Sequence, residues 1–206
     1  MITTEQAIDF ICKTVKDTSD ENKAKAAVAL SAGVGQVSAL GGRGWDFSSD
    51  QISFSTVAGR ESYYVNKGTN DYDNAHCINT QAQPVRLIDS VWYNSSKVHK
   101  RTQEAFLHDY QGQTGSGTPY RWTAFGNIFR IAPVPGDAYE LVFYVKRRIV
   151  SIEQFPEDFQ HAPLFAAVRL MQEPKFAEAL EAAMKVIRSS DGIMDFTDES
   201  GAGYNG

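Results

Sequence analysis

Cysteine is nearly absent from this chain of 206 residues, which has Cys12 and Cys77 and no others, and proline is sparse at seven. Two thiols cannot build a disulfide framework, so a knotted or toxin-like scaffold is excluded; an apolar core must hold the chain, and its length allows one. Long apolar runs are missing too: none approaches the roughly 18 residues that suggest a bilayer span, and no membrane partner is expected. The opening Met1-Ile-Thr-Thr-Glu-Gln6 lacks the positive flank and apolar stretch of a signal peptide. Residence in a cytoplasm with both thiols reduced is therefore the expectation, and the sequon Asn94-Ser95-Ser96 is a chance match. What remains, 42% apolar and 22% charged residues, is the composition of a globular protein.

Catalytic and ligand-binding signatures are equally scarce. Gly33-Val34-Gly35 falls inside a helical pattern and has Ser38 where a dinucleotide fingerprint needs its third glycine. The Gly-Lys-Ser/Thr of a phosphate loop does not occur. Gly115-Ser116-Gly117 lacks the residues that separate serine from each glycine in a nucleophile elbow. His76, His99, His108 and His161 are scattered, and His76-Cys77 has no cysteine pair to complete a zinc set. Asp71-Tyr72-Asp73-Asn74 starts like a calcium loop without its glycine and closing glutamate. Glu157-Asp158 stands where a helix start prefers negative charge. No catalytic, cofactor-binding or metal-ligating residue is assigned, and no enzyme activity is expected.

The pattern along the chain is helix, then strand, then helix. Thr3 and Gln6 form a capping box for a helix over about 4–17, with Ala7, Ile8, Ile11, Cys12 and Val15 on one face. Ser19-Asp20-Glu21 caps a second, running to Leu40 and stopped by Gly41-Gly42, with Gly33 and Gly35 weakening its interior. From Trp45 to Tyr144 lie 17 of the 24 aromatics, in short runs broken by turn residues. Ile52–Val57 and Tyr63–Val65 read as a hairpin, 66–84 as a long exposed loop, 86–93 as a strand and 98–110 as a short helix. Tyr120–Phe125, Ile128–Ala132 and Tyr139–Arg147 read as a three-stranded meander turning at Gly126-Asn127 and Pro133–Asp137. Helical periodicity returns after Pro156. From Ser189 onward four glycines and four acids occur without lysine or arginine.

The expected fold class is therefore α+β, with segments 1–44 and 151–190 helical, an inserted antiparallel β module over 45–150, and a flexible acidic tail over 191–206. Charge divides unevenly over this plan: the net of −5 combines +3 in 99–150 with −6 in 151–206. No segment is basic enough for a dedicated nucleic-acid clamp. Lys100 and Arg101 in one cluster, Lys146, Arg147 and Arg148 in another, and Asp191, Asp195, Phe196, Asp198 and Glu199 in the tail are the candidate partner-interface residues, opposite in charge and able to pair between subunits.

Four landmarks occur in order: Gly44-Trp45-Asp46-Phe47, then Phe54-Ser-Thr-Val-Ala58-Gly59-Arg-Glu-Ser-Tyr63-Tyr64, Thr118-Pro119-Tyr120, and Ile131-Ala-Pro133-Val-Pro135-Gly136-Asp137-Ala-Tyr139-Glu-Leu141-Val-Phe143-Tyr144. Over residues 4–190 this order resembles the head-to-tail adaptor (connector) proteins of tailed bacteriophages, in particular the tail tubular protein A type of short-tailed phages. The resemblance implies a helical bundle built from both chain ends with the β module inserted. It also implies a structural virion protein at the head-tail junction, assembled in the host cytoplasm. Its subunits would form a dodecameric ring beneath a portal protein, with a downstream tail or nozzle protein below and double-stranded DNA passing through without specific binding. A different reading, a carbohydrate- or receptor-binding module, rests on Tyr72, Trp92, Tyr93 and Trp122, whose rings would stack on sugars if exposed.

Overall fold

Thr3 starts the first helix by the reciprocal bonding that its spacing to Gln6 predicts: Gln6 N donates to Thr3 Oγ1 at 3.3 Å, and Thr3 N donates to Gln6 Oε1 at 3.0 Å. The computed structural model describes residues 1–40, 45–68, 76–110 and 115–192, with 186–192 by backbone alone. Helix α1 spans Thr4–Thr14 and α2 spans Asp20–Leu40; the expected stop at Gly41-Gly42 lies outside the described residues. The other helices are α3 (Gln103–Tyr110), α4 (His161–Gln172) and α5 (Phe176–Gly192). No helix among the described residues is long and apolar enough to cross a membrane.

The chain divides into two units, Met1–Ser48 with the stretch from Arg148, and Ser49–Arg147. In the first unit Ala7 and Ile11 of α1, Leu30 and Val34 of α2, Leu164 and Ala167 of α4 and Ala183 of α5 belong to one buried apolar cluster, closed by Ile149, Ile152 and Phe155. Gly33 has a packing reason. A Cβ there would stand 2.6 Å from the Pro163 carbonyl oxygen and 3.1 Å from Ala167 N, so α2 meets α4 at a point where only glycine fits.

The second unit is an eight-stranded, mostly antiparallel sheet in the order β1-β10-β4-β5-β7-β8-β2-β3. Its strands are β1 (Ser49–Ser55), β2 (Ser62–Asn66), β3 (Cys77–Asn79), β4 (Val85–Tyr93), β5 (Ser96–Lys100), β7 (Arg121–Phe125), β8 (Ile128–Ala132) and β10 (Glu140–Arg147), and a separate parallel pair joins β6 (Ser116–Gly117) to β9 (Val134–Pro135). Phe129 of β8 and Phe143 of β10 are four strands apart in that order, a distance of about 19 Å in a flat sheet. Their ring centroids nevertheless lie 5.0 Å apart. The sheet is folded over, and Tyr63, Trp122, Phe129, Leu141 and Phe143 fill the space between its layers.

Five expectations need correcting. β1 and β2 are not a hairpin: β1 pairs with β10, and β2 pairs with β8 and β3. The chain does reverse at 56–61, but that loop wraps the Tyr63 hydroxyl, which takes a hydrogen bond from Val57 N and donates to the Arg60 carbonyl, and delivers the strand to the other layer. The meander stops at two strands for a similar reason. β7 and β8 pair across Gly126-Asn127, whereas the proline-rich link engages β6 through β9 and carries β10 across to β4 and β1.

The helix expected at 98–110 begins only at Gln103, because 96–100 is strand β5, paired to β4 around a turn in which Asn94 and Ser95 both take positive φ, 44° and 62°. Within the polar stretch 66–84, Cys77, Ile78 and Asn79 form a buried strand rather than exposed loop. Last, the helix runs past the expected boundary at 190: α5 continues to Gly192, so Asp191 and Gly192 are helical, and 193–206 lie outside the described residues.

Candidate partner interface

Of the basic residues singled out in the sequence, Arg147 is the last residue of β10, which is paired on both sides, and is 5% exposed. Its Nε donates to Asp50 Oδ2 at 2.5 Å, and its Nη1 donates to the Gln83 carbonyl at 2.7 Å and to Asn79 Oδ1 at 3.1 Å. Asn79 in turn donates to Asn66 Oδ1 and to the Gln83 carbonyl, and Asn66 accepts from Val85 N. These bonds hold the polar segment 76–84 in place: buried amides and a guanidinium replace the water that their polar atoms require. Hydrogen bonding by Arg147 holds the Asp50 carboxyl below its ordinary range, partly offset by burial. Arg147 therefore acts inside its own chain, not on a surface.

The neighbouring residues have structural roles as well. Lys146 Nζ donates to Ser49 Oγ at 2.7 Å, and Arg148 is half-buried. Lys100 holds its ammonium 5.7 Å from the centre of the Trp122 ring. Arg101 is exposed, with its backbone N–H on the Trp122 carbonyl at 2.8 Å. β10 and β5 both run antiparallel to β4, which lies between them, so the two basic clusters end on the same end of that layer. Asp191 falls in the last turn of α5, and Asp195, Phe196, Asp198 and Glu199 lie outside the described residues.

Sequence reasoning missed a second basic feature. In β7 and β8 the residues that alternate with the buried Trp122, Ala124, Phe129 and Ile131 all point to the opposite face of the sheet. That outer face carries Arg121, Thr123 and Phe125 on β7, Ile128, Arg130 and Ala132 on β8, His99 on β5 and Tyr64 on β2, in continuous register; Thr123 and Ala132 are buried, Arg121 and Arg130 half-buried, and the exposed part is the hairpin tip. Arg121 lies 5.1 Å over the exposed Tyr120 ring. Phe125 is 64% and Ile128 40% exposed, facing each other at the hairpin tip. The alternation in Arg121-Trp-Thr-Ala-Phe125 was the signal for this face.

The aromatic residues proposed as sugar platforms are engaged internally. Trp122 is buried and donates Nε1–H to the Val98 carbonyl; Tyr93 meets Tyr139 edge-on at 5.3 Å; Trp92 donates to Ser90 Oγ. Tyr72 lies outside the described residues. Burial pushes both thiols, Cys12 and Cys77, up from their ordinary values. No group of three or more metal-ligating side chains occurs among the described residues.

The family model described as SU10 adaptor protein matches residues 5–195, across both units, and the chain belongs to that family, a phage head-to-tail adaptor family of structural proteins. No curated protein matches it.

Proposed function

We propose that this protein is a structural virion component that forms a ring beneath the portal protein, prolongs the DNA channel and provides the attachment platform for the tail. The family match over nearly the whole chain carries this reading. In it the terminal helices pack as one bundle with the β module inserted, and the ring is a dodecamer built by heterologous contacts between unlike surfaces of neighbouring subunits. An uneven distribution of charge over a net of −5 suits both requirements. Opposite charges set the register between neighbours, while an acidic total disfavours a grip on phosphates, which would slow passing DNA. Assembly takes place in the host cytoplasm, before the tail is attached.

The test is to mix the purified chain with portal rings and follow mass by light scattering and shape by electron microscopy. A stacked ring is the expected result; a chain that stays monomeric with portal present overturns the reading.

A further inference from the structure

The outer face of the β7–β8 hairpin combines two features that a lone subunit does not explain. Arg121 and Arg130 are diagonal neighbours across the pair, at about 7–8 Å, because Arg121 faces Ala132 and Arg130 faces Thr123. Like charges so placed repel, yet among the described residues neither is in an ion pair. Beside them Phe125 is mostly exposed, and Ile128 and Tyr120 are each partly so. Arginine with exposed aromatics and aliphatics is the composition of a protein-binding patch. It is a poor match to a DNA backbone, which would leave the apolar rings uncovered and would meet a chain of net negative charge.

Complementary chemistry exists in the same chain. Fourteen residues follow Gly192, the end of α5, and they contain Asp195, Phe196, Asp198 and Glu199 but no lysine or arginine. Extended, such a segment reaches about 45 Å, far enough to arrive at a neighbouring subunit. We propose that the segment 193–206 of one copy seats on the outer β7–β8 face of a second copy, its carboxylates on Arg121 and Arg130 and its Phe196 against Phe125 and Ile128. The proposal rests on the self-assembly reading above and deepens it by naming the two surfaces of one subunit contact.

The test uses the full chain. A photo-crosslinker is installed as Phe196→p-benzoylphenylalanine in one preparation, mixed with a heavy-isotope-labelled preparation that lacks it, and assembled with portal rings before irradiation. Cross-links from position 196 of the light chain to heavy peptides within 120–132 are expected. Cross-links confined to a single chain, or reaching other regions, in rings that form normally would overturn the proposal and leave the adaptor reading intact; failure of the wild-type chain to form rings would overturn the adaptor reading itself.

Charge reversal supplies the second arm. Arg121→Glu with Arg130→Glu should raise the concentration needed for half-assembly about tenfold, and adding Asp195→Arg with Asp198→Arg should restore it. Unchanged assembly in the first variant, no rescue in the second while both melt like the wild type, or loss of a measurable affinity for duplex DNA in place of an assembly defect, would each refute the seating. If the reversed chain does not fold, the cross-link map alone decides.

Discussion

Arg147 and Asp50 meet across neighbouring strands of the folded sheet, Nε to Oδ2 at 2.5 Å, with the arginine buried and the aspartate open to solvent on one side. The guanidinium is committed further, to the Gln83 carbonyl and Asn79, and its Nη2 is buried without a partner among the described residues. A charge held this way is costly to strand. It locks β10 to β1 and to the segment after β3 because the alternative is a desolvated cation.

Replacing Asp50 by Asn should accordingly destabilise the β unit by about 2 kcal/mol, most of it the cost of leaving the guanidinium short of its anion. Urea denaturation checks this. Because Arg147 lowers the Asp50 value in the folded state, the pair contributes fully above the unfolded aspartate value, and its contribution fades as pH falls through the lower folded value. The difference between wild type and Asp50→Asn should shrink on acidification.

Glu153 offers a sharper pH signature. Burial by itself would raise its value, but hydrogen bonds from the Thr4 hydroxyl and the Thr4 backbone N–H outweigh that and hold it at about 2. A depressed carboxylate stabilises the fold above its unfolded value of 4.5 and loses that contribution as pH falls toward 2. Thermal melts of wild type and Glu153→Gln should therefore differ at neutral pH and converge between pH 4.5 and about 2.

At Gly33 two effects compete. Alanine would gain up to about 1 kcal/mol of helix propensity, yet its Cβ would press on the Pro163 carbonyl oxygen, a backbone atom that cannot swing away. The steric term wins, and Gly33→Ala should destabilise by about 1–3 kcal/mol, with the loss read as a lower melting temperature. An unchanged or higher value would mean that α4 can move aside.

Phe143 and Trp45 should separate clearly. Phe143 is fully buried against Phe129 and Phe54, so Phe143→Ala should cost about 3–5 kcal/mol. Trp45 is half-buried, stacked on Phe47 at 5.7 Å with its indole N–H on the Val37 carbonyl, so its truncation should cost less. Denaturant midpoints of the two variants give the order directly.

Local signals were readable wherever neighbours in sequence are neighbours in space. The Thr3–Gln6 box, the cap at Ser19 and the Gly126-Asn127 turn each involve residues a few positions apart, and each stands as read. The Asn94-Ser95 turn was missed because serine rarely takes positive φ, so no glycine marked it. The candidate interface was half legible: the basic clusters were visible, but nothing local shows that Arg147 is buried or that Arg121 and Arg130 share an outer face with exposed Phe125.

By itself the sequence determined the α+β class, the helix caps, the aromatic strand segments and, through the order of its landmarks, the family. Only the tertiary structure decided which strands pair. Every β segment has alternating residues able to satisfy many partners, and the choice of β10 over β2 as the neighbour of β1 follows from contacts between residues some ninety positions apart, such as Thr56 with Tyr139 and Asp50 with Arg147. Such contacts depend on burying one shared aromatic core between two layers, a property of the whole fold that no short stretch of sequence contains.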